Sequence, residues 1–322
     1  MRPVVTSSAP KASAPPPARA GGDGYGGEGS SGRNESTGSA RLGTRGPRPG
    51  GGVVVKRMAR GADDGYHSQL VPGLKSSLDA VRLINELVYA AERLKLLAAD
   101  PPGLWGEVAG SGPLEERLWL AFLIALIGPS SGEDELDDPF SAIEAVRVPW
   151  GSTPDLDPVV PGPRAGFDPR RWSQTVAAYC GWASKAGSQE QGFKGEPAWT
   201  PERRFDRLYE RLGSLPGMSR DARFELLSVL GTLGVFELKV GRLHLAGENE
   251  TTVAGKRVFG IGDTLLLDRR AMALAEICEL PLVALDLGLH NWGTGVRVGG
   301  GVPIDLELDP AAIERCRRAL KV

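Results

Sequence analysis

Apolar positions recur three and four residues apart along most of the chain beyond residue 72, the spacing of amphipathic helices rather than of strands. "GLKSSLDAVRLINELVYAAERLKLLAAD" (73–100) predicts one long helix whose buried side carries Leu78, Val81, Leu83, Ile84, Leu87 and Val88. "PLEERLWLAFLIALIG" (113–128) opens with Pro at a first-turn position and acids beside it, a favoured helix start. A short helix ends before Pro149, and "DPRRWSQTVAAYCGWASKAG" (168–187) closes on a glycine cap. "WTPERRFDRLYERLG" (199–213) has Thr200 as N-cap and Pro201 at the first helical position. Further helices are expected at 219–231, about 250–259, 263–278, 281–291 and 310–320. Strict alternation occurs in "VFELKVGRLHL" (235–245), on both sides of a Val-Gly turn, which predicts a β-hairpin. "GVRVGGGVPIDLEL" (295–308) is a second, shorter extended candidate. The class expected is all-α with one small inserted β-hairpin.

Composition changes this picture only at the N-terminus. Residues 1–62 are dominated by Gly, Pro, Ser, Ala and Arg and cannot bury enough apolar surface to offset ordering entropy, so a disordered basic tail is expected there. Residues 63–322 are expected to form the helical domain. Of the 38 basic residues ten fall in residues 1–60, with three of the 40 acids, which leaves 28 against 37 in the rest. A basic tail can hold nucleic acid loosely, whereas an acidic body argues against strong non-specific duplex binding, so any DNA contact must be local. The longest apolar run, 118–128, is too short to span a bilayer, and no membrane association is expected. Cys180, Cys278 and Cys316 are scattered, and the chain has three histidines. That pattern fits a reducing cytoplasm and argues against a disulfide framework or a metal site built from His and Cys.

Two stretches carry chemistry. In "LGSLPGMSRDARFELL" a Pro-Gly turn joins two helices. Such a turn lets backbone approach a ligand, and the free N–H groups of the following helix face an anion. It is equally the form of a plain helix–helix corner. In "VAGKRVFGIGDTLLLDRRAMALAEICELPLVALDLGLHNWG" (253–293), Asp263 stands at a loop–helix junction, followed by Thr264 and an arginine-bearing helix. Asp263 is also a good N-cap, and "FGIGD" (259–263) is an alternative phosphate-binding turn.

With Leu215-Pro216-Gly217 as the hairpin and Asp263-Thr264 as the catalytic helix start, the sequence resembles the helix-hairpin-helix DNA glycosylase superfamily. "DDPFSAIEAVRVPWG", "PAWTPERRFDRLYERLG" and "LDLGLHNWG" are most similar to the α-glutamyl/putrescinyl thymine pyrophosphorylase group, in its bacterial clade, over a core of residues 113–293. Ser219 replaces the second hairpin glycine, and Asp221 occupies the region where lyase-type members carry a lysine. The resemblance implies a helical glycosylase-like domain acting on DNA bases. It would displace pyrophosphate from an activated 5-hydroxymethyl pyrimidine with a small amine such as putrescine or glutamate, without a cofactor.

The site residues expected follow from this. Asp263 is the catalytic candidate, as a carboxylate in a partly dry pocket. Pro216, Gly217, Ser219 and Arg220 would hold a DNA backbone phosphate. Lys256, Arg269, Arg270, Arg203 and Arg204 are candidates for the pyrophosphate, because a leaving anion needs cations. Trp199 and Trp292 would stack on an extruded base, and His290 and Asn291 would read its edge. The competing expectations are a non-catalytic helix-hairpin-helix DNA-binding module, with Asp263 only a cap, and a helical interaction protein.

Overall fold

A computed structural model describes residues 60–131, 138–166 and 170–322. The expected disordered tail lies, up to residue 59, outside the described residues. Among those residues there are twelve helices and no strand. They are α1 (Ser77–Ala99), α2 (Leu104–Ala109), α3 (Leu114–Ile127), α4 (Ser141–Glu144), α5 (Trp172–Ala186) and α6 (Gln189–Lys194). After them come α7 (Pro201–Gly213), α8 (Arg220–Thr232), α9 (Glu250–Phe259), α10 (Thr264–Cys278), α11 (Ala284–Thr294) and α12 (Pro310–Leu320). The all-α class is as the periodicity predicts.

Two helices organise the interior. α3 is apolar all round, and every residue from Leu118 to Ile127 is buried, as a helix surrounded by others must be. It packs against α2, α4, α6 and α8. α1 lies against α11, α12 and α8, and α11 also against α9. The α1–α11 crossing is close because Gly288 carries no side chain, and a Cβ there would sit 2.7 Å from Leu87 Cδ2 and 3.1 Å from the Glu86 carbonyl. On α1 the buried side is shifted from the expected one. Leu83, Ile84, Leu87 and Val88 are enclosed, but Leu78 is half exposed and Val81 half buried. Cys278 of α10 and Cys316 of α12 are buried in helices that pack on each other, whereas Cys180 on α5 is half-buried.

The inserted β-hairpin is not present. Residues 235–245 run as irregular chain whose backbone groups are satisfied elsewhere. Lys239 N donates to the Pro201 carbonyl at 3.3 Å, and Leu243 N donates to the Asp268 carboxylate at 3.2 Å. The Leu243 carbonyl accepts from Arg220, and His244 takes a left-handed φ of 54°, which breaks strand geometry. Alternation here reflects Leu238, Leu243 and Leu245 entering the core, not cross-strand pairing. Residues 296–309 are likewise irregular, pinned by Arg93 Nε to the Gly299 carbonyl and by Tyr89 Oη to that of Pro303.

Candidate functional site

The Pro-Gly turn forms as expected but faces inward. Leu215 to Met218 make a turn closed by Met218 N to the Leu215 carbonyl at 3.2 Å, with Gly217 at φ 74°, the geometry of a type II turn. A Cβ on Gly217 would lie 2.2 Å from Thr175 Oγ1 of α5, so the turn is seated on that helix. Ser219 caps α8 by accepting from Ala222 N at 3.1 Å. Arg220, expected at a phosphate, is buried. Pro216 alone of the four is exposed.

Asp263 is exposed and caps α10, accepting from Leu266 N at 2.9 Å. The partly dry pocket expected for a catalytic carboxylate is not found around it. The turn packs on α5, whereas α10 packs on α9 and α12.

The remaining expected residues divide into four places. Trp199 is buried beneath the Arg211 guanidinium, 4.9 Å from its ring centre, so it has no free face on that side. It shares a groove of about 230 Å³ with Arg203, Arg207 and Glu210, whereas Arg204 donates to the Glu237 carbonyl at 3.0 Å. Arg269 and Arg270 are exposed on α10, the latter bonded to the Gln69 carbonyl at 2.7 Å. His290 and Asn291 are buried, and Asn291 braces the following loop by accepting from Val298 N at 3.2 Å. Lys256 and Trp292 do come together, in a cleft of about 430 Å³ between α9 and the start of α1. Trp292 is nonetheless buried, bonded through Nε1 to the Asp79 carbonyl at 3.0 Å, so it floors the cleft rather than stacking on a base.

The densest chemistry lies where α8 and α11 meet the loop before α5. Asp286 of α11 is buried and accepts from Arg164 Nη2 at 2.5 Å on one oxygen and from Arg220 Nη1 on the other. Arg220 Nη1 also reaches Asp221 at 3.0 Å, and its Nη2 donates to the Leu243 carbonyl. Asp221 stands 3.9 Å from Arg164 and 3.5 Å from Thr251 Oγ1. Beside this group Arg93 pairs with Glu225. Burial opposes ionisation of Asp286, but Arg220 and Arg164 outweigh it and hold the carboxyl below its usual range. Burial likewise opposes both arginines, and Asp286 and Asp221 overcome it, so both stay charged. His290, one turn after Asp286, is pushed down to about 4 by burial and then by Arg164, and is neutral.

This cluster is not fully satisfied. Among the described residues, Arg164 Nε and Nη1, Arg220 Nε and His290 Nδ1 are buried without a hydrogen-bond partner. Buried polar atoms are normally paired, so several orphaned nitrogens in one cluster stand out, although the cavities beside them hold only about 20 and 10 Å³. Planar guanidinium forks match phosphate and carboxylate. Arg164, Asp221 and Asp286 were not among the expected site residues. No group of His, Cys, Asp or Glu among the described residues could hold a metal ion.

The arrangement is that of an all-helical protein with an ionic interior, in which three arginines meet three carboxylates and some guanidinium N–H groups lack a partner among the described residues. The family model for alpha-glutamyl/putrescinyl thymine pyrophosphorylase clade 3 matches residues 166–294, from the segment before α5 through the end of α11. The chain is therefore similar to that group over the stretch that holds Arg220, Asp221, Asp286 and His290, and the resemblance read from the sequence is supported there. No curated protein and no solved structure matches. No helix among the described residues is long and apolar enough to cross a membrane.

Proposed function

We propose that the chain is a DNA base-modifying enzyme that replaces pyrophosphate on an activated 5-hydroxymethyl pyrimidine with a small amine. The functional unit on this reading is the helical region 63–322, acting on DNA with its modified base extruded. The observation that supports it most is the set of unpartnered N–H groups on Arg164 and Arg220 beside Asp286, next to or within the stretch similar to thymine pyrophosphorylases. Departure of pyrophosphate builds charge on oxygen, and fixed guanidinium donors in a dry setting stabilise it without reorganising. Asp221, less enclosed than Asp286, would take the proton that the free amine loses as its nitrogen bonds to the 5-methylene carbon and pyrophosphate leaves. Neutral His290 adds a donor or acceptor without changing the charge balance.

The test is conversion of DNA containing pyrophosphorylated 5-hydroxymethyluracil in the presence of putrescine or glutamate, read as pyrophosphate release and as the aminated nucleoside by mass spectrometry. Arg164→Gln is expected to lower turnover by about a hundredfold or more, the scale of losing one preorganised charge-stabilising donor. Arg164→Lys, which keeps charge but not the planar fork, should recover only part. Full turnover by a folded Arg164→Gln variant contradicts the reading. A second reading, a non-catalytic helix-hairpin-helix DNA-binding module, is favoured by the cap geometry of Asp263. It requires DNA binding without any release of pyrophosphate.

A further inference from the structure

The cleft of about 430 Å³ between α9 and the start of α1 is separate from the arginine–aspartate interior. Arg60, Lys75, Lys256 and Arg257 line it, with Asp63 and Asp79 as its acids and Trp292 in its floor. The two carboxylates have partners of their own. Both oxygens of Asp79 accept from Gly61 N, at 3.1 and 3.2 Å, and one also meets Arg82. Asp63 accepts from Gly65 N at 3.0 Å. Lys75 and Lys256, by contrast, have no ion-pair or hydrogen-bond partner on their ammonium groups among the described residues. Arg257 is laid over Trp292, 5.0 Å from its ring centre, which holds its charge at the wall of the cleft.

The two lysines are brought to one cleft by backbone geometry. Gly73 N donates to the Val258 carbonyl at 3.0 Å, and a Cβ on Gly73 would sit 1.9 Å from the Arg257 carbonyl. The loop before α1 is thereby clamped onto the last turn of α9, which carries Lys256 and Arg257. The N-terminus of the 23-residue α1 opens at the same rim through Ser76 and adds its positive end. Like charges gathered in a concave space of small-ligand size repel one another unless an anion joins them.

We propose that this cleft is a second anion site, which takes a phosphate group between Lys75 and Lys256. The phosphate belongs either to a nucleic-acid backbone or to a free diphosphate, and the same donors serve both. In its free-diphosphate form the site rests on the proposed activity, whose released product is pyrophosphate, and it adds Lys75 to the Lys256 already expected there.

The experiment compares the full-length chain with Lys75→Gln/Lys256→Gln. Binding of a fluorescein-labelled single-stranded oligonucleotide is followed by anisotropy over a salt series, and binding of inorganic pyrophosphate by calorimetry. For the oligonucleotide, losing two phosphate contacts should reduce the slope of log K against log salt by about 1.4. For pyrophosphate, Kd should rise by about tenfold or more. A change for the oligonucleotide alone assigns the cleft to backbone phosphate, and a change for pyrophosphate alone assigns it to a free diphosphate. Lys75→Arg/Lys256→Arg should keep binding in either case. Both ligands bound unchanged by the folded double Gln variant, or neither bound by the parent chain, overturns the proposal. Turnover on pyrophosphorylated DNA, measured alongside with Arg164→Gln, separates failure of this site from failure of the proposed activity.

Discussion

Asp286 is the single acid in the apolar run from Leu280 to Leu289, and it sits between two buried guanidinium groups. Replacing it with Ala leaves Arg164 and Arg220 without their counter-charge in the interior, so a loss of about 3–5 kcal/mol is expected in urea unfolding. His290 adds a pH dependence of definite sign. Its folded pKa of about 4 lies below the ordinary 6.5, so the unfolded chain binds the extra proton between these values. Stability from this group is complete above pH 6.5 and falls as pH drops towards 4, by about 3 kcal/mol in all. His290→Gln should flatten that window in a series of urea midpoints, and an unchanged series contradicts the assignment. Some of this was legible beforehand. A lone acid in an apolar helical run, four residues before a histidine, is a sign of a buried polar group. Arg164 gave no such sign, because it lies in the loop "VPGPRAG", where no periodicity reports which way a side chain points.

At the scale of elements, periodicity and capping were informative wherever a helix buries one face. α9 and α12 have the expected bounds, and Thr200 and Asp263 cap α7 and α10 through their side chains. α2 and α6, of six residues each, are too short to show a period. The hairpin failed because alternation records burial and not pairing, and tertiary partners took the backbone groups of 235–245. The turn at Gly217 shows the same limit. Its shape was readable from Pro-Gly, but its seat on Thr175 was not, since that contact joins residues about forty apart in the chain. Gly217→Ala is therefore expected to cost about 1–3 kcal/mol of stability, from the left-handed φ and the clash with Thr175 together, read as a fall in urea midpoint. Asp263→Ala should cost about 1 kcal/mol and Asp263→Asn almost nothing, since Asn caps as well as Asp. On the proposed reading turnover by Asp263→Asn stays within about twofold of the parent. A large loss of turnover would restore that carboxylate to the chemistry.

For the whole molecule, charge is distributed by location rather than by sum. The body beyond residue 60 is acidic, yet its cleft of about 430 Å³ is cationic and its interior gathers arginines around Asp286. An anion that binds only the folded chain raises its stability by mass action, by about 2.7 kcal/mol at a hundred times its Kd. Thermal unfolding in a pyrophosphate series should therefore move upward, and a flat series would deny any diphosphate site.

The buried thiols of Cys278 and Cys316 give the chain a built-in reporter. Both are enclosed between α10 and α12, whereas Cys180 is half-buried. A thiol-specific dye added to the native protein should therefore label one site per chain and leave two untouched. Arrival of the second and third labels together times the departure of the C-terminal helix from its neighbour, with no engineered probe in the chain.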